Sequence, residues 1–94
     1  MIISGYVFVT QQLMEDIRKV NFMYREQPEN PNDSGWRFFC GCEDQAYVDN
    51  PDNIVLCSIE DILLIDNSIK PFLCAAPGLA FEWCENSNSF KLTD

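Results

Sequence analysis

Apolar positions along the chain alternate with period two in most segments and with a helical period in a few. Tyr6-Val7-Phe8-Val9 follows Ser4-Gly5 and is rich in β-branched and aromatic residues, which predicts a first strand. Leu13, Ile17 and Val20 then recur at i, i+4 and i+7, which predicts a helix over roughly 11–19 with Thr10 as its cap. Glu15 and Asp16 lie early in it and Arg18 and Lys19 in its last turn, the arrangement that a helix dipole favours.

Phe22 to Glu26 reads as a second strand, with Phe22 and Tyr24 on one face and Met23 and Arg25 on the other. A polar loop with Pro28 and Pro31 runs from Gln27 to Ser34, and Gly35 to Cys40 is a third strand. There Trp36 and Phe38 share one face and Arg37 and Phe39 the opposite one. The loop length allows these strands to be antiparallel neighbours. That pairing suggests Arg25 and Arg37 on a common face, beside Glu26, Asp33, Glu43 and Asp44.

Beyond Gly41 the pattern turns polar. Glu43 to Tyr47 is compatible with one helical turn, and Asn50-Pro51-Asp52-Asn53 is a strong turn signal. The apolar run Ile54-Val55-Leu56-Cys57 predicts a central strand buried on both faces. Ser58-Ile59-Glu60-Asp61 is a capping-box helix start. The crowding of Ile59, Ile62, Leu63, Leu64, Ile65 and Ile69 predicts a largely buried helix that ends at Pro71, with a strand over Ile62 to Ile65 as the competing reading. Leu79, Phe81 and Trp83 alternate with Ala80, Glu82 and Cys84, and Asn86 to Ser89 leads into a returning edge strand at Phe90-Lys91-Leu92. Together these segments describe a single α+β domain over residues 1–94, a mostly antiparallel sheet of about five strands with two helices packed on it.

Charge narrows the partners. Fifteen acidic residues against six basic ones give a net charge of −9. A free nucleic acid needs Lys and Arg to neutralise its phosphates, so nucleic acid is not an expected partner, and a basic protein is. The segment Met1 to Gly5 lacks the basic and apolar regions of a signal peptide, and no apolar run reaches the ~18–20 residues of a membrane span. The expected location is the cytoplasm, with no membrane partner.

The candidate chemistry is sparse. The chain has no histidine, which excludes a Cys–His nucleophile pair. Cys40, Cys42, Cys57, Cys74 and Cys84 are odd in number and lack zinc-ligand spacing, so reduced, packed thiols are expected, with neither metal nor cofactor. Asp49 to Asn53 offers oxygens but neither the glycine nor the distal glutamate of a calcium loop. Trp, Tyr and Arg, the residue types that anchor protein interfaces, are dense between Tyr24 and Tyr47. The expected partner-binding residues are Arg25, Glu26, Glu29, Asp33, Arg37, Glu43, Asp44, Tyr47, Asp49 and Asp52, around a structural core of Tyr24, Gly35, Trp36 and Phe38.

The run Met23-Tyr24-Arg25-Glu26, Pro28, Asp33-Ser34-Gly35-Trp36-Arg37-Phe38-Phe39, Gly41, Glu43-Asp44, Tyr47, Asn50-Pro51-Asp52-Asn53 resembles a family of bacterial polymorphic-toxin immunity proteins. This is the thirty-third immunity class, first catalogued as a domain of unknown function, and the similarity spans roughly 3 to 84. The resemblance implies an α+β domain that binds and neutralises a cognate toxin inside the producing cell, without catalytic residues. An acidic inhibitor suits a toxin with a basic active-site cleft, and the expected toxin-facing surface is the pair of acidic loops 26–34 and 43–52. Two other readings compete. One is a regulatory or housekeeping domain that holds a small anionic ligand or peptide near Arg25 and Arg37; the other is an enzyme.

Overall fold

A computed structural model describes residues 5–93. The chain runs through β1 (Tyr6–Thr10), a π-helical turn (Leu13–Ile17), β2 (Phe22–Arg25), β3 (Asp33–Phe39), α1 (Gln45–Asp49), a 3-10 turn (Pro51–Asn53), β4 (Ile54–Ser58), α2 (Ile59–Ile65), a second 3-10 segment (Asn67–Phe72), β5 (Ala80–Cys84) and β6 (Ser89–Thr93). The six strands form one sheet in the order β4-β1-β3-β2-β5-β6. β1 and β3 are parallel and the other neighbours antiparallel. The architecture is thus the expected α+β sheet, with one more strand and one parallel pair.

Strand register assigns the faces, because directly opposed residues point the same way. Met23 opposes Phe38 and Phe81, and Val7 and Val9 oppose Cys57 and Val55. Val7, Val9, Met23, Trp36, Phe38, Phe81 and Phe90 therefore face the helical side. There they pack with Leu13, Val20, Ile59, Ile62, Ile69 and Leu73 into the core. Each large apolar side chain buried there contributes about 1.5–3 kcal/mol. Trp36 also satisfies its ring N–H, which donates to the Leu73 carbonyl at 3.0 Å. Ser58 and Asp61 close the expected capping box at the start of α2.

Several expectations are corrected. β4 is an edge strand paired only with β1, and Leu56 is 57% exposed; a continuous apolar run does not by itself fix a central position. The helix after Ser58 stops at Ile65, because Asp66 is extended and accepts hydrogen bonds from the Val20 and Ser68 amides and the Lys19 ammonium. A 3-10 segment then continues through Pro71, and Leu64 is 84% exposed where burial was expected. The helix expected over 11–19 is a shorter π-helical turn. Arg18 ends it in the left-handed region, so Arg18 and Lys19 lie beyond it and Ile17 is exposed.

The cysteine expectation also changes. Cys40 and Cys42 are joined by a disulfide, their Cα atoms 5.6 Å apart across Gly41, whose φ of +89° turns the chain tightly.

Candidate functional site

The second face of the sheet carries Tyr6, Phe8, Phe22, Tyr24, Arg37 and Phe39, and among the described residues no long helix packs on it. Its aromatic side chains are half-buried and make ring contacts in two groups, Tyr6 with Phe8 and Phe22 with Tyr24 and Phe39. The Tyr24 and Phe39 rings stack at 5.7 Å, Phe22 lies 5.8 Å from Phe39, and Tyr6 meets Phe8 edge-on at 5.4 Å. Burial, followed by the nearby Glu26 carboxylate, raises the pKa of the Tyr24 phenol. Tyr24 is therefore part of this open surface, not of the enclosed core, whereas Trp36 and Phe38 are fully buried as expected.

Arg37 is the polar centre of the face. Its Nη1 and Nη2 donate to the two Asp33 oxygens at 2.9 and 2.8 Å, its Nε donates to Glu26 Oε2 at 2.6 Å, and Nη1 also reaches the Trp36 carbonyl at 3.1 Å. The guanidinium carbon lies 4.4 Å from the centroid of the Phe8 ring.

A bulge brings Asp33 and Arg37 together. The step from Tyr6 to Phe8 on β1 faces the step from Asp33 to Arg37 on β3, so β3 carries extra residues there. Gly35 sits inside the bulge at φ +90°, and an added Cβ would lie 2.4 Å from the Glu26 carbonyl oxygen. Asp33 also accepts from the Glu29 and Gly35 amides, which ties the 26–32 loop to the strand. The Arg37 hydrogen bonds hold the Asp33 carboxyl well below the usual carboxylate range. Burial pushes the Arg37 guanidinium downward, but the bonds to Asp33 and Glu26 outweigh it and raise its pKa.

Arg25 and Arg37 do not share a face. Arg25 opposes Trp36 in register and Arg37 opposes Tyr24, so they lie on opposite sides of the sheet. Arg25 donates to the Ser34 and Ala75 carbonyls at 2.9 and 2.8 Å. The expected anion site between the two arginines is therefore absent: one is bound to backbone carbonyls and the other is saturated by carboxylates.

The segment after β3 supplies a wall for the open face. Glu43 accepts from the Cys40 amide at 2.8 Å, from the Gly41 amide at 3.0 Å and from the Thr10 hydroxyl. Asp44 caps α1 by accepting from the Tyr47 amide, and the Tyr47 hydroxyl accepts from the Gln12 amide at 2.9 Å. Glu43 and Tyr47, expected at a binding surface, thus act as anchors for α1. Cys40, Cys42 and Glu43 hold potential metal-ligand atoms within 4.8 Å of one another. The two sulfurs are bonded together and both Glu43 oxygens accept hydrogen bonds, so the cluster does not form a metal centre as it stands.

Between this wall and the 26–32 loop lies a groove of about 430 Å³. Phe8, Tyr24, Phe39, Val48 and Ile54 give it an apolar lining, and Glu26, Glu29, Arg37 and Asp49 bring charge to it. Two further hollows lie beside it, one lined by Phe22 and Gly41 and one by Arg25 and Leu79, and Tyr24 borders all three. The two acidic loops, which leave opposite ends of β3, therefore meet around one groove. Of the residues expected at the surface, the structure brings Glu26, Glu29, Arg37 and Asp49 into its lining. Asp44 and Asp52 are exposed in the wall segment, and Asp33 is buried. The groove floor, Phe8 and Phe39 with Val48 and Ile54, was not anticipated. The available signal was that Phe8 is out of phase with the core residues Val7 and Val9, and Phe39 in phase with Arg37.

Neither the curated proteins nor the solved structures provide a match. A family model described as the immunity protein Imm33 domain matches residues 7–93, which takes in every strand apart from Tyr6 at the start of β1 and nearly the whole described chain. The groove, its two acidic loops and the bulge that positions them all fall within that match, and the chain belongs to the Imm33 immunity protein domain family.

Proposed function

We propose that this protein is a non-enzymatic immunity protein that neutralises a cognate toxin by direct binding in the cytoplasm of the producing cell. The observation that carries the site assignment is the groove. Both acidic loops border it, its floor is aromatic, and its one arginine is fully committed to neighbouring carboxylates. Such a surface combines the apolar centre and polar rim of a protein interface. The net charge of −9 favours a basic partner and speeds encounter with it.

Co-expression with the toxin encoded beside the gene tests the role, with stoichiometric complex formation and growth protection expected. The surface is tested by reversing exposed acids that do not cap a helix: Glu29→Lys, Asp49→Lys and Asp52→Lys together. Asp33, Glu43 and Asp44 are left intact, because the first two hold the fold and Asp44 caps α1. Loss of binding with an unchanged melting temperature is expected, and undiminished binding would show that the toxin docks elsewhere.

A further inference from the structure

We infer that the groove is a receptor for one basic side chain of the partner, an arginine in preference to a lysine, inserted over the Phe8–Tyr24–Phe39 floor. The identity of the partner rests on the reading above; the chemistry of the occupant rests on the groove itself. At about 430 Å³ the space falls within the ~300–1,000 Å³ range of small-ligand pockets and takes one long side chain with room to orient.

The lining selects the occupant. Tyr24 and Phe39 are nearly parallel, at 15° with centroids 5.7 Å apart, and both rings line the groove, where a methylene stem or a planar cation can pack against them. The protein already uses such contacts: among them, Arg37 lies 4.4 Å from the Phe8 ring and Lys19 lies 3.6 Å from the Trp83 ring. Around the floor stand Glu26, Glu29 and Asp49. Glu29 and Asp49 are exposed, and the Glu26 side chain is half exposed although Oε2 is bound to Arg37. Arg37 does not attract an anion in compensation, since its Nε and both Nη nitrogens already donate to carboxylates. A carboxylate or phosphate would meet the excess negative charge of Glu26, Glu29 and Asp49, and a purely apolar side chain would leave the rim acids desolvated without a partner. A guanidinium satisfies both parts, because its plane stacks on rings while its N–H groups fork to carboxylates.

The test uses capped amino acids as probes, titrated into the full chain and followed by amide and aromatic NMR. N-acetyl-arginine methylamide should bind saturably and shift Glu29, Phe39, Val48 and Asp49. The capped lysine should bind more weakly. Capped citrulline, nearly the same shape without charge, should bind about tenfold more weakly than arginine. The double variant Glu29→Gln, Asp49→Asn preserves shape and backbone and should weaken arginine about fivefold. Val48→Trp, which fills the groove without changing its charge, should abolish the shifts. Citrulline binding as tightly as arginine, shifts centred outside the groove, no saturable binding, or arginine binding that survives Val48→Trp would each overturn the inference. The two readings fail separately. Arginine binding without toxin protection removes the immunity role and leaves the receptor site, whereas toxin protection without arginine binding removes only the receptor site.

Discussion

The carboxylate of Asp33 and the guanidinium of Arg37 form a two-pronged ion pair, at 2.8 and 2.9 Å, in which both side chains are almost wholly withdrawn from solvent. Residues four apart in a regular strand stand too far apart for this; the bulge at Ser34 and Gly35 brings them together. The pair fixes the 26–32 loop to β3 and occupies the arginine beside the groove. Removing Asp33 would leave the buried Arg37 with the half-exposed Glu26 as its carboxylate partner and both Nη groups without their acceptor, so Asp33→Ala should lower unfolding stability by about 3 kcal/mol, measured by urea denaturation.

The same pair sets an acid limit. The folded-state pKa of Asp33 is depressed, chiefly by its hydrogen bonds to Arg37. Its contribution is therefore complete above the unfolded-state value of about 3.9 and is lost as pH falls through the lower folded-state value. Asp66 is lowered as well: burial opposes the shift, and bonds from Ser68, Lys19 and the Val20 amide overcome it. The urea midpoint should hold steady from neutral pH to about 5 and then fall steeply. Asp33→Asn should flatten part of that acid limb, and an unchanged limb would show that the pair does not govern it.

Gly35 is required by backbone geometry. At φ +90° a side chain is strained, and its Cβ would sit 2.4 Å from the Glu26 carbonyl oxygen, which cannot yield without opening the bulge. Gly35→Ala should cost about 3 kcal/mol or more and broaden the amide signals of Glu26 to Arg37. A loss under about 1 kcal/mol, or the gain of about 0.4–1 kcal/mol that Gly-to-Ala gives where the backbone accepts alanine, would show that the bulge adapts.

Local pattern made most strands legible in the sequence, and non-local geometry accounts for the errors. The alternation at Trp36, Arg37 and Phe38 placed those side chains correctly, because each strand residue has only two directions to choose from. The placement of Arg25 with Arg37 failed because it needed the register between β2 and β3, which opposes Arg25 to Trp36. β4 was misplaced because its edge position depends on which strands pair, not on its own composition. The groove was half legible: its acidic rim stood out as charge in two loops, whereas its floor comes from Phe8, Phe39, Val48 and Ile54 on separate segments. Glu43 and Tyr47 stand among surface groups in the sequence, although their side chains turn back to hold Thr10 and Gln12.

The thiols outside the disulfide should differ sharply in reactivity. Burial, followed by the charge of Asp61, pushes Cys57 up to about 11. Cys84, at the start of the β5–β6 turn, is lowered by hydrogen bonding to Ser87. Since the thiolate is the reacting form, iodoacetamide at pH 7.5 should modify Cys84 more than about tenfold faster than Cys57, read by peptide mass spectrometry over time. Equal rates would show that the two environments do not control the thiols.

The wall of the groove should depend on one carboxylate. Glu43 accepts from two successive amides, Cys40 and Gly41, and from the Thr10 hydroxyl of β1, so one side chain ties the turn after β3 to the neighbouring strand. α1 is only five residues long and buries none of them, and such a helix does not persist on its own. Its remaining side-chain tie to the β1 end of the sheet is the Tyr47 hydroxyl, which accepts the Gln12 amide. Glu43→Ala removes the charge-assisted acceptor and leaves partly buried donors to find water. The expected loss is about 1.5–3 kcal/mol, with faster amide exchange confined to residues 41–53. Met23, Trp36 and Phe38, whose amides belong to the central strands, should retain their protection. If binding uses the groove, the same variant should weaken it even though Glu43 does not line the 430 Å³ space, because Val48 and Asp49 would no longer be held opposite Glu29. Uniform loss of protection across the sheet would instead make Glu43 a determinant of the whole fold.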